Sequence, residues 1–459
     1  MAERDELFFK KKNAYDILPE DEINRAYGYA EEYKTFLDEA KTEREAVRYA
    51  VRLAAGRGFV PYEAGMEIRP GMKVYKTVEG KAVMLAVIGE KPLSEGINIA
   101  AAHVDAPRLD LKQVPLYEDT ELAFFKTHYY GGIKKYQWVT IPLSLHGVVV
   151  RRDGTAVDVV IGEDESDPVF YITDLLPHLD KDQAKKTLSE AFTGEGLNIL
   201  VGSRPFGEEK DSDRVKYNVL RLLYDRYGIT EEDFLSAELE AVPAGRARDT
   251  GLDRSLIGAY GQDDRVCAFA ALRALLDIGT PEKTAVCVLT DKEEIGSDGV
   301  TGMQSAAFEA FISDLCRAQG VLLHHCFEKS FCLSADVCNA FDPNYADVSE
   351  KNNSARLNYG IGVLKFTGSR GKAGSSDASA ETVGMLRALF EKHGVRWQMA
   401  ELGKVDQGGG GTVAKYMANR GIATIDAGVP VLSMHAPWEI TSKLDAYHLY
   451  KAVFAVYCG

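Results

Sequence analysis

The chain has 459 residues, of which 46% are hydrophobic and 27% are charged, as in a globular protein with more than one domain. Its formal net charge of −15 argues against nucleic acid and anionic membranes as partners, because both are bound by concentrated Lys and Arg. No apolar run approaches the roughly 20 residues of a membrane-spanning helix, and residues 1–7 show no secretory signal pattern. We therefore expect a cytoplasmic protein with no membrane partner.

The seven cysteines include no Cys-x-x-Cys pair, and most lie in apolar segments, such as Cys287 between two valines. Free cysteines in such segments are typical of reduced, buried thiols in a cytosolic protein. A zinc site built from thiolates is therefore not expected.

Taken in chain order, the first half of the sequence predicts two kinds of structure. Residues 20–56 predict charged amphipathic helices, and residues 81–89 and 97–103 are continuous apolar runs typical of central strands. Residues 107–248 differ, because hydrophobic and polar residues alternate on both sides of a turn at Asp153 and Gly154, which predicts a β-hairpin. We interpret this segment as a separate β-rich domain inserted into the first, with one helix over residues 181–192.

After residue 250, apolar strands and amphipathic helices alternate. Strands are predicted over residues 284–290, 330–336, 361–367 and 421–427, and helices over residues 265–277, 303–318, 376–393 and 443–456. This alternation predicts an α/β fold with a mixed sheet and helices on both faces. Residues 1–106 and 249–459 would form that domain.

Two adjacent acids, Glu293 and Glu294, follow the predicted strand 284–290 directly. Neighbouring carboxylates repel each other. A metal ion relieves this repulsion if one acid binds the ion and the other takes a proton from the bound water. The alternative is a solvated acidic turn, because Glu-Glu pairs are common on protein surfaces.

Further acids and imidazoles lie where other predicted strands end. They are His103, Asp105, Asp263, Asp264, Asp336 and His435. Ligand sites of α/β sheets lie beyond the carboxyl ends of strands. Each residue alone has an ordinary alternative, such as a helix N-cap for Asp264 or a core position for a histidine, but burying the whole set without a cation would leave costly charge. Carboxylate and imidazole ligands suit zinc, with cobalt or manganese as alternatives.

His103 and Asp105 are separated by one residue. Side chains alternate along a strand, so both would leave it on the same face. The carboxylate of Asp105 can then orient the imidazole of His103.

The motifs that contain these residues resemble the aminopeptidase I / aspartyl aminopeptidase family of dinuclear zinc metallopeptidases, in a divergent bacterial-type branch. The motifs are residues 102–109, 260–265, 291–297, 334–336 with 343–345, and 433–435, in the family's order. The resemblance implies a zinc-exopeptidase catalytic domain and a dimerisation role for residues 107–248. It implies a metal-dependent aminopeptidase that hydrolyses N-terminal residues from peptides with free N-termini.

The resemblance also implies two zinc ions per subunit and a role for each matched residue. Among the metal ligands, His103 would bind one zinc, Asp263 would bridge both, Glu294 and Asp336 would bind opposite metals, and His435 would complete the second site. Glu293 would be the general base, and Asp105 would support His103.

Two further residues match the family's segments. His178, in residues 168–178, resembles a histidine that enters a neighbouring subunit's active site and stabilises the oxyanion; its alternative is an ordinary loop histidine. Lys365 matches a substrate-binding active-site lysine, and its alternative is a strand lysine facing solvent. A histidine acting in trans requires at least a dimer, and the resemblance implies a tetrahedral dodecamer.

The chain departs from the family pattern at residues 337–342, 368–376 and 436–439, which leaves the preferred N-terminal residue open. A different enzyme with the same metals, an acyl-amino-acid deacylase or a carboxypeptidase, would need a cationic pocket, for which Arg370 and Lys372 are the candidates.

Two other hypotheses are less consistent with the residues. A non-catalytic binding protein would have lost Glu293 or a metal ligand, and none is lost. The glycine run at residues 408–411 lacks the Lys-Ser/Thr of a phosphate-binding loop. We expect this run to line the peptide cleft with backbone N–H groups.

Overall fold

The computed structural model describes residues 7–459. The expectation about a signal segment falls mainly on residues 1–6, outside the described residues. The strands in chain order are β1 (Val60–Pro61), β2 (Lys73–Val78), β3 (Ala82–Val87), β4 (Ile97–His103), β5 (Arg108–Asp119), β6 (Leu122–Tyr130), β7 (Leu143–Val150), β8 (Ala156–Ile161), β9 (Ile199–Gly202), β10 (Ala237–Pro243), β11 (Arg248–Thr250), β12 (Leu256–Ala259), β13 (Thr284–Thr290), β14 (Phe331–Ser334), β15 (Cys338–Asn339), β16 (Ile361–Leu364), β17 (Gly368–Ser369), β18 (Trp397–Met399), β19 (Gly409–Gly410), β20 (Ala423–Gly428), β21 (Pro430–Leu432) and β22 (Glu439–Ser442).

The α-helices are listed in the same way. They are α1 (Glu20–Glu39), α2 (Glu43–Ala55), α3 (Leu188–Ala191), α4 (Arg214–Tyr227), α5 (Gln262–Asp277), α6 (Ala307–Ala318), α7 (Leu323–Phe327), α8 (Ala380–Lys392), α9 (Ala414–Ala418) and α10 (Lys443–Cys458). Across residues 7–459, no helix combines the length and the apolar character needed to cross a membrane.

Contacts divide the described chain into two compact units. The first contains the described residues up to Asp105, Ala247–Met434 and Glu439–Gly459, and the second contains Ala106–Arg246 and His435–Trp438.

The first unit is built on a nine-stranded sheet with the order β1-β2-β3-β13-β4-β14-β20-β16-β18. The neighbours β13, β4, β14 and β20 run parallel, whereas β3 pairs antiparallel with β13, and β16 pairs antiparallel with β20. The sheet is therefore mixed, which confirms the predicted α/β class. Its central parallel strands present their carboxyl ends at one edge.

Helices cover both faces of this sheet, and β4 shows why. Its residues are all buried and alternate between two cores: Ala100 and Ala102 pack in the cluster that contains residues of α1, α2, α5 and α10. Ile97, Ile99 and Ala101 pack in the cluster that contains residues of α6 and α7. A strand buried on both faces has a continuous apolar sequence, and this is the pattern that predicted β4 as a central strand.

The second unit contains a six-stranded antiparallel sheet with the order β8-β7-β10-β5-β6-β9. The predicted hairpin is confirmed, because β7 pairs with β8 from Leu145 opposite Ile161 to Val150 opposite Ala156. Gly154 in the turn has a φ of +83°, a conformation that glycine adopts without strain.

The helix predicted over residues 181–192 is wrong. The structure has a 3-10 turn at Gln183–Lys185 and the single-turn helix α3, which begins after the capping residue Thr187. None of the side chains in this segment is buried, so no packed apolar face stabilises a continuous helix.

All seven cysteines are free thiols, and six of them are buried, with Cys458 exposed. This agrees with the expectation of reduced, buried thiols.

Candidate metal centre

The predicted ligands of the first unit meet because three neighbouring strands end together. His103 is the last residue of β4 and lies opposite Thr290, the last residue of β13. On the other side of β4, Ser334 ends β14 opposite Ala101. Asp336 therefore follows one strand end and the Glu293–Glu294 pair follows another, all at the same edge of the sheet.

His103, Asp263 and Asp336 form a buried cluster, and one ligand atom from each lies within 4.8 Å of those from the other two. The Nε2 atom of His103 is 3.3 Å from Oδ1 of Asp263 and 3.9 Å from Oε2 of Glu293. An imidazole nitrogen and two carboxylates are a ligand set that zinc binds, with a position left for water. The donor set therefore fits a zinc ion.

The electrostatics of the cluster also favour a cation. Burial raises the pKa of the Asp336 carboxyl well above its ordinary value, and the Asp264 carboxylate raises it further. Burial opposes protonation of His103, yet hydrogen bonds with Asp105 and Asp263 leave its pKa well above the ordinary value. Raised pKa values at both an acid and an imidazole indicate an excess of negative charge in the cluster. A metal ion would supply the positive charge that offsets it.

The backbone of Asp336 also requires a glycine nearby. A Cβ atom on Gly428 in β20 would lie 1.8 Å from the carbonyl oxygen of Asp336. The absence of a side chain at Gly428 therefore lets the end of β20 approach the ligand loop.

Asp105 is fully buried and positions three groups. Its Oδ1 atom accepts a hydrogen bond from the backbone N–H of Glu293, and Oδ2 accepts one from the N–H of Glu294, both at 3.2 Å. The Nδ1 atom of His103 lies 3.2 Å from Oδ1 and 3.1 Å from the carbonyl oxygen of Asp105. The sequence predicted the contact with His103 but not the two backbone hydrogen bonds.

Asp263 and Asp264 lie in the first turn of α5 with non-helical backbone angles, and the peptide bond between the two acids is cis. Asp264 does not cap the helix; its Oδ2 atom accepts a hydrogen bond from the backbone N–H of His103 at 3.3 Å. The N–H of Asp263 donates to Oε2 of Glu439 at 3.0 Å. Glu439 was not predicted as a site residue, although a buried acid at the start of the short strand β22 is an available signal.

A pocket of about 360 Å³ lies beside Glu293, whose side chain is 18% exposed. It is lined by Glu293, Gly296, Gly368, Ser369, Ala373, Gly374, Gly409, Gly410, Gly411, Thr412, Lys415 and Tyr416. Its walls include the paired two-residue strands β17 and β19. The last three residues of the glycine run therefore line this pocket, and the contact of their backbone N–H groups with a peptide remains a prediction. Lys415 was missed by the sequence analysis.

Lys365 lies just after β16 and is not among the pocket residues. Its Nζ atom donates to Oδ1 of Asp377 at 2.6 Å, and Lys372 donates to the other oxygen at 3.0 Å. The Asp377 carboxylate therefore pairs with both cations and neutralises one of their two charges. Binding of substrate by Lys365 remains a prediction.

Two of the predicted site residues, His178 and His435, belong to the second unit. His178 is exposed and lies in the segment before the 3-10 turn Gln183–Lys185. The Nδ1 atom of His435 is 2.8 Å from the carbonyl oxygen of Gly132. Metal-binding histidines commonly engage a backbone carbonyl through one ring nitrogen and the metal through the other. The roles of both histidines remain predictions.

Comparison with known proteins places these observations in a family. A family model described as aminopeptidase I zinc metalloprotease (M18) matches residues 36–457. The probable M18 family aminopeptidase 1 of Clostridium acetobutylicum is 49% identical over 450 residues, which are 96% of this chain and 97% of the relative. A crystal structure of an M18-family aminopeptidase from Thermotoga maritima superimposes with a TM-score of 0.93 at 46% identity, covering 98% of this chain and 99% of the other.

A more distant structure, the mApe1 dodecamer of S. cerevisiae, shares the fold with a TM-score of 0.76 at 22% identity, covering 93% of this chain and 95% of that one. The predicted family resemblance is confirmed by the match over nearly the whole chain. The chain belongs to the M18 family of aminopeptidase I zinc metalloproteases.

Proposed function

We propose that this protein is an aminopeptidase that hydrolyses N-terminal residues from peptides with two metal ions and with Glu293 as the general base. The observation that carries the proposal is the position of Glu293. Its carboxylate lies 3.9 Å from a ring nitrogen of the ligand cluster and also lines the pocket. An acid placed between the metal ligands and a pocket can reach both a metal-bound water molecule and a substrate.

Zinc held by His103, Asp263 and Asp336 would polarise the scissile carbonyl group and lower the pKa of a water molecule. The family resemblance assigns Glu294 and His435 to a second zinc ion that shares Asp263. Cobalt and manganese are alternatives, because carboxylate and imidazole ligands also bind them.

The chain's own residues then move one proton. Glu293 takes the proton from the attacking water at a carboxylate oxygen and passes it to the nitrogen of the leaving amine, which departs as the peptide bond breaks. Asp105 holds the backbone at Glu293 and Glu294 through its two hydrogen bonds. The base is therefore fixed by a buried group before substrate binds.

The charge of the site supports a preference for free N-termini. Asp263, Asp264, Asp336, Glu293 and Glu294 lie near one another with His103, and five acids exceed the charge of two divalent ions. The resulting negative potential favours the ammonium group of an unblocked substrate over an acylated one. This supports an aminopeptidase over a deacylase.

Self-association is the second part of the proposal. His178 is flanked by Leu175, Leu176 and Leu179, whose exposed fractions are 51%, 50% and 67%. Contiguous exposed leucines are costly in water and mark interaction sites. We propose that this leucine segment, residues 175–179, packs on another copy of the chain and brings His178 to that copy's active site, where it stabilises the oxyanion.

At least a dimer follows from this arrangement, and a tetrahedral dodecamer is the assembly we expect from the family resemblance. The free thiols support a reducing location such as the cytoplasm.

The test is hydrolysis of aminoacyl-p-nitroanilides and short peptides by chelator-treated protein, with and without zinc, cobalt or manganese. We expect metal-dependent release from unblocked N-termini only, and loss of turnover in Glu293→Gln without loss of bound metal. Glu282→Gln is the matched control, because Glu282 is an exposed acid paired with Lys91. Turnover of acylated substrates alone would indicate a deacylase, and no turnover with any metal would indicate a binding protein.

A further inference from the structure

We propose that Asp426 is a positioning residue of the substrate pocket, and that its carboxylate, through Thr412, holds the pocket wall formed within residues 409–416. This inference rests on the aminopeptidase function proposed above and adds a residue that acts on substrate binding without touching the substrate. It starts from the construction of the wall, because the glycine run at residues 408–411 has no side chains with which to hold its conformation.

The glycine run is held on one side by strand pairing alone. Gly409 and Gly410 form β19 and pair with β17, with Gly409 opposite Ser369. Each strand of this pair has two residues, and both residues of β19 are exposed. Glycine loses more conformational freedom on ordering than any other residue, so a run of four glycines is unfavourable to order. A ladder of two residues is a weak support for such a run, and a second fixed point is needed.

Thr412, the first residue after the glycine run, provides that fixed point. Its Oγ1 atom donates a hydrogen bond to Oδ1 of Asp426 at 2.7 Å. The same atom accepts a hydrogen bond at 3.3 Å from the backbone N–H of Ala414, the first residue of α9. A hydroxyl group has one proton to donate, so the acceptor at Asp426 orients it and leaves a lone pair for Ala414. One buried acceptor therefore fixes both the end of the glycine run and the start of α9.

Asp426 is anchored in the central sheet and is only 1% exposed, so it cannot contact a substrate itself. It lies in β20 between Ser334 of β14 and Leu364 of β16. Burial raises the pKa of Asp426 to about 6, and the hydroxyl groups of Ser334 and Thr412 keep it from rising further. The carboxyl group is therefore mostly ionised at neutral pH. A hydrogen bond from Thr412 to a carboxylate is stronger than one between neutral groups.

The segment that Thr412 holds also reaches the turn of the general base. Tyr416 in α9 lines the pocket, as Thr412 does. The hydroxyl group of Tyr416 donates a hydrogen bond to the carbonyl oxygen of Gly296 at 3.1 Å, in the turn that follows Glu293. A shift of α9 would therefore change the shape of the pocket beside Glu293. Because Asp105 holds the backbone of Glu293 separately, we expect weaker substrate binding more than a slower chemical step.

The experiment measures KM and kcat of the zinc-loaded enzyme for the aminoacyl-p-nitroanilide that the wild type cleaves fastest. Asp426→Leu and Thr412→Val each remove one partner of the same hydrogen bond. Each should raise KM about 5- to 50-fold and change kcat less than about threefold, as for loss of a hydrogen bond to a charged group that acts on binding. Asp426→Asn keeps an acceptor and Thr412→Ser keeps a donor, so each should raise KM less than about threefold. The double variant Asp426→Leu/Thr412→Val should be no worse than either single variant, because both act through one bond.

Thr424→Val is the matched control, because it also removes a threonine hydroxyl group from this region. Thr424 lies in β20 and donates to the carbonyl oxygen of Ile422 at 2.9 Å, away from the pocket wall, so its replacement should leave KM unchanged. A higher KM in Thr412→Val without one in Asp426→Leu would show that Thr412 contacts the substrate directly, and would overturn the inference. Additive effects in the double variant would also overturn it.

Amide hydrogen exchange separates this inference from the proposed function, because it needs no turnover. Exchange over residues 412–418 should be faster in Asp426→Leu and Thr412→Val than in the wild type and Thr424→Val, with β4 and β13 unchanged. If no metal supports hydrolysis, the aminopeptidase proposal fails and exchange alone decides the role of Asp426. Faster exchange confined to that segment supports the inference, and unchanged exchange overturns it. If Asp426→Leu does not fold, the same comparison is made between Thr412→Val and Thr412→Ser.

Discussion

Replacing Asp105 with asparagine should disable the site without removing any proposed metal ligand. Oδ1 of Asp105 accepts a hydrogen bond from the N–H of Glu293, and Oδ2 accepts one from the N–H of Glu294. The amide NH2 group of asparagine is a donor and must occupy one of these two positions. In either position it would face a backbone N–H in place of an acceptor, so one of the two hydrogen bonds is lost.

The expected loss therefore falls on the turn that carries Glu293 and Glu294. His103 keeps the carbonyl oxygen of residue 105 as an acceptor, at 3.1 Å from Nδ1. One of the two backbone N–H groups would lose its acceptor and face a donor beside a fully buried residue, which costs about 1–3 kcal/mol. Because a factor of ten corresponds to about 1.4 kcal/mol, zinc affinity or kcat/KM should fall roughly 10- to 100-fold. Asp105→Ala removes the acceptors at both oxygen positions and should lose more.

The assay is a competition titration of zinc against a chromophoric chelator, together with kcat/KM for an unblocked substrate. Circular dichroism and the thermal midpoint control for folding. A folded Asp105→Asn protein with zinc affinity and kcat/KM within twofold of the wild type would refute the view that this carboxylate positions the Glu293–Glu294 turn. Equal losses in the Asn and Ala variants would also contradict the assignment of the loss to one oxygen position.

Three further predictions concern stability, the pocket and assembly. Burial lowers the pKa of His448 from 6.5 to about 3, so between these pH values the unfolded chain binds a proton that the folded chain does not, and the free energy of unfolding falls as the pH drops below 6.5. At about 1.4 kcal/mol per pH unit, the difference in free energy of unfolding between wild type and His448→Gln should narrow by roughly 2 kcal/mol from pH 7 to pH 5. An unchanged difference in denaturation experiments would contradict this. Gly409→Ala places a Cβ against the backbone of the paired strand β17 and should raise KM severalfold. Gly371→Ala is the control, because a Cβ there meets nothing within 4 Å, and its KM should not change. Equal KM values for the two variants would show that the pairing of β17 with β19 does not shape the pocket. Leu179→Glu should shift the assembly to smaller species in light scattering, whereas Leu222→Glu, at a similarly exposed leucine of α4, should leave it unchanged; no shift in either variant would exclude this contact from the interface.

The sequence alone determined the strands that carry the site. Continuous apolar runs located β4 and β13, because burial on both faces removes polar residues from a strand. Acids and histidines directly after such runs then indicated His103, Glu293 and Asp336 as neighbours, since the carboxyl ends of parallel strands meet at one edge. These inferences need only local patterns and the general geometry of sheets.

The tertiary structure decided which groups contact one another. Asp105 binds the N–H of Glu293, which is 188 residues further along the chain, and Glu439 binds the N–H of Asp263 across 176 residues. The predicted helix over 181–192 failed for the same kind of reason, because its propensity was not supported by a packed face. Lys415 was overlooked because the pocket that it lines forms only where the segments of Glu293, Gly368 and Gly409 meet. Hydrogen-bond partners and counter-ions depend on distances between remote segments, and no local pattern of residues encodes those distances.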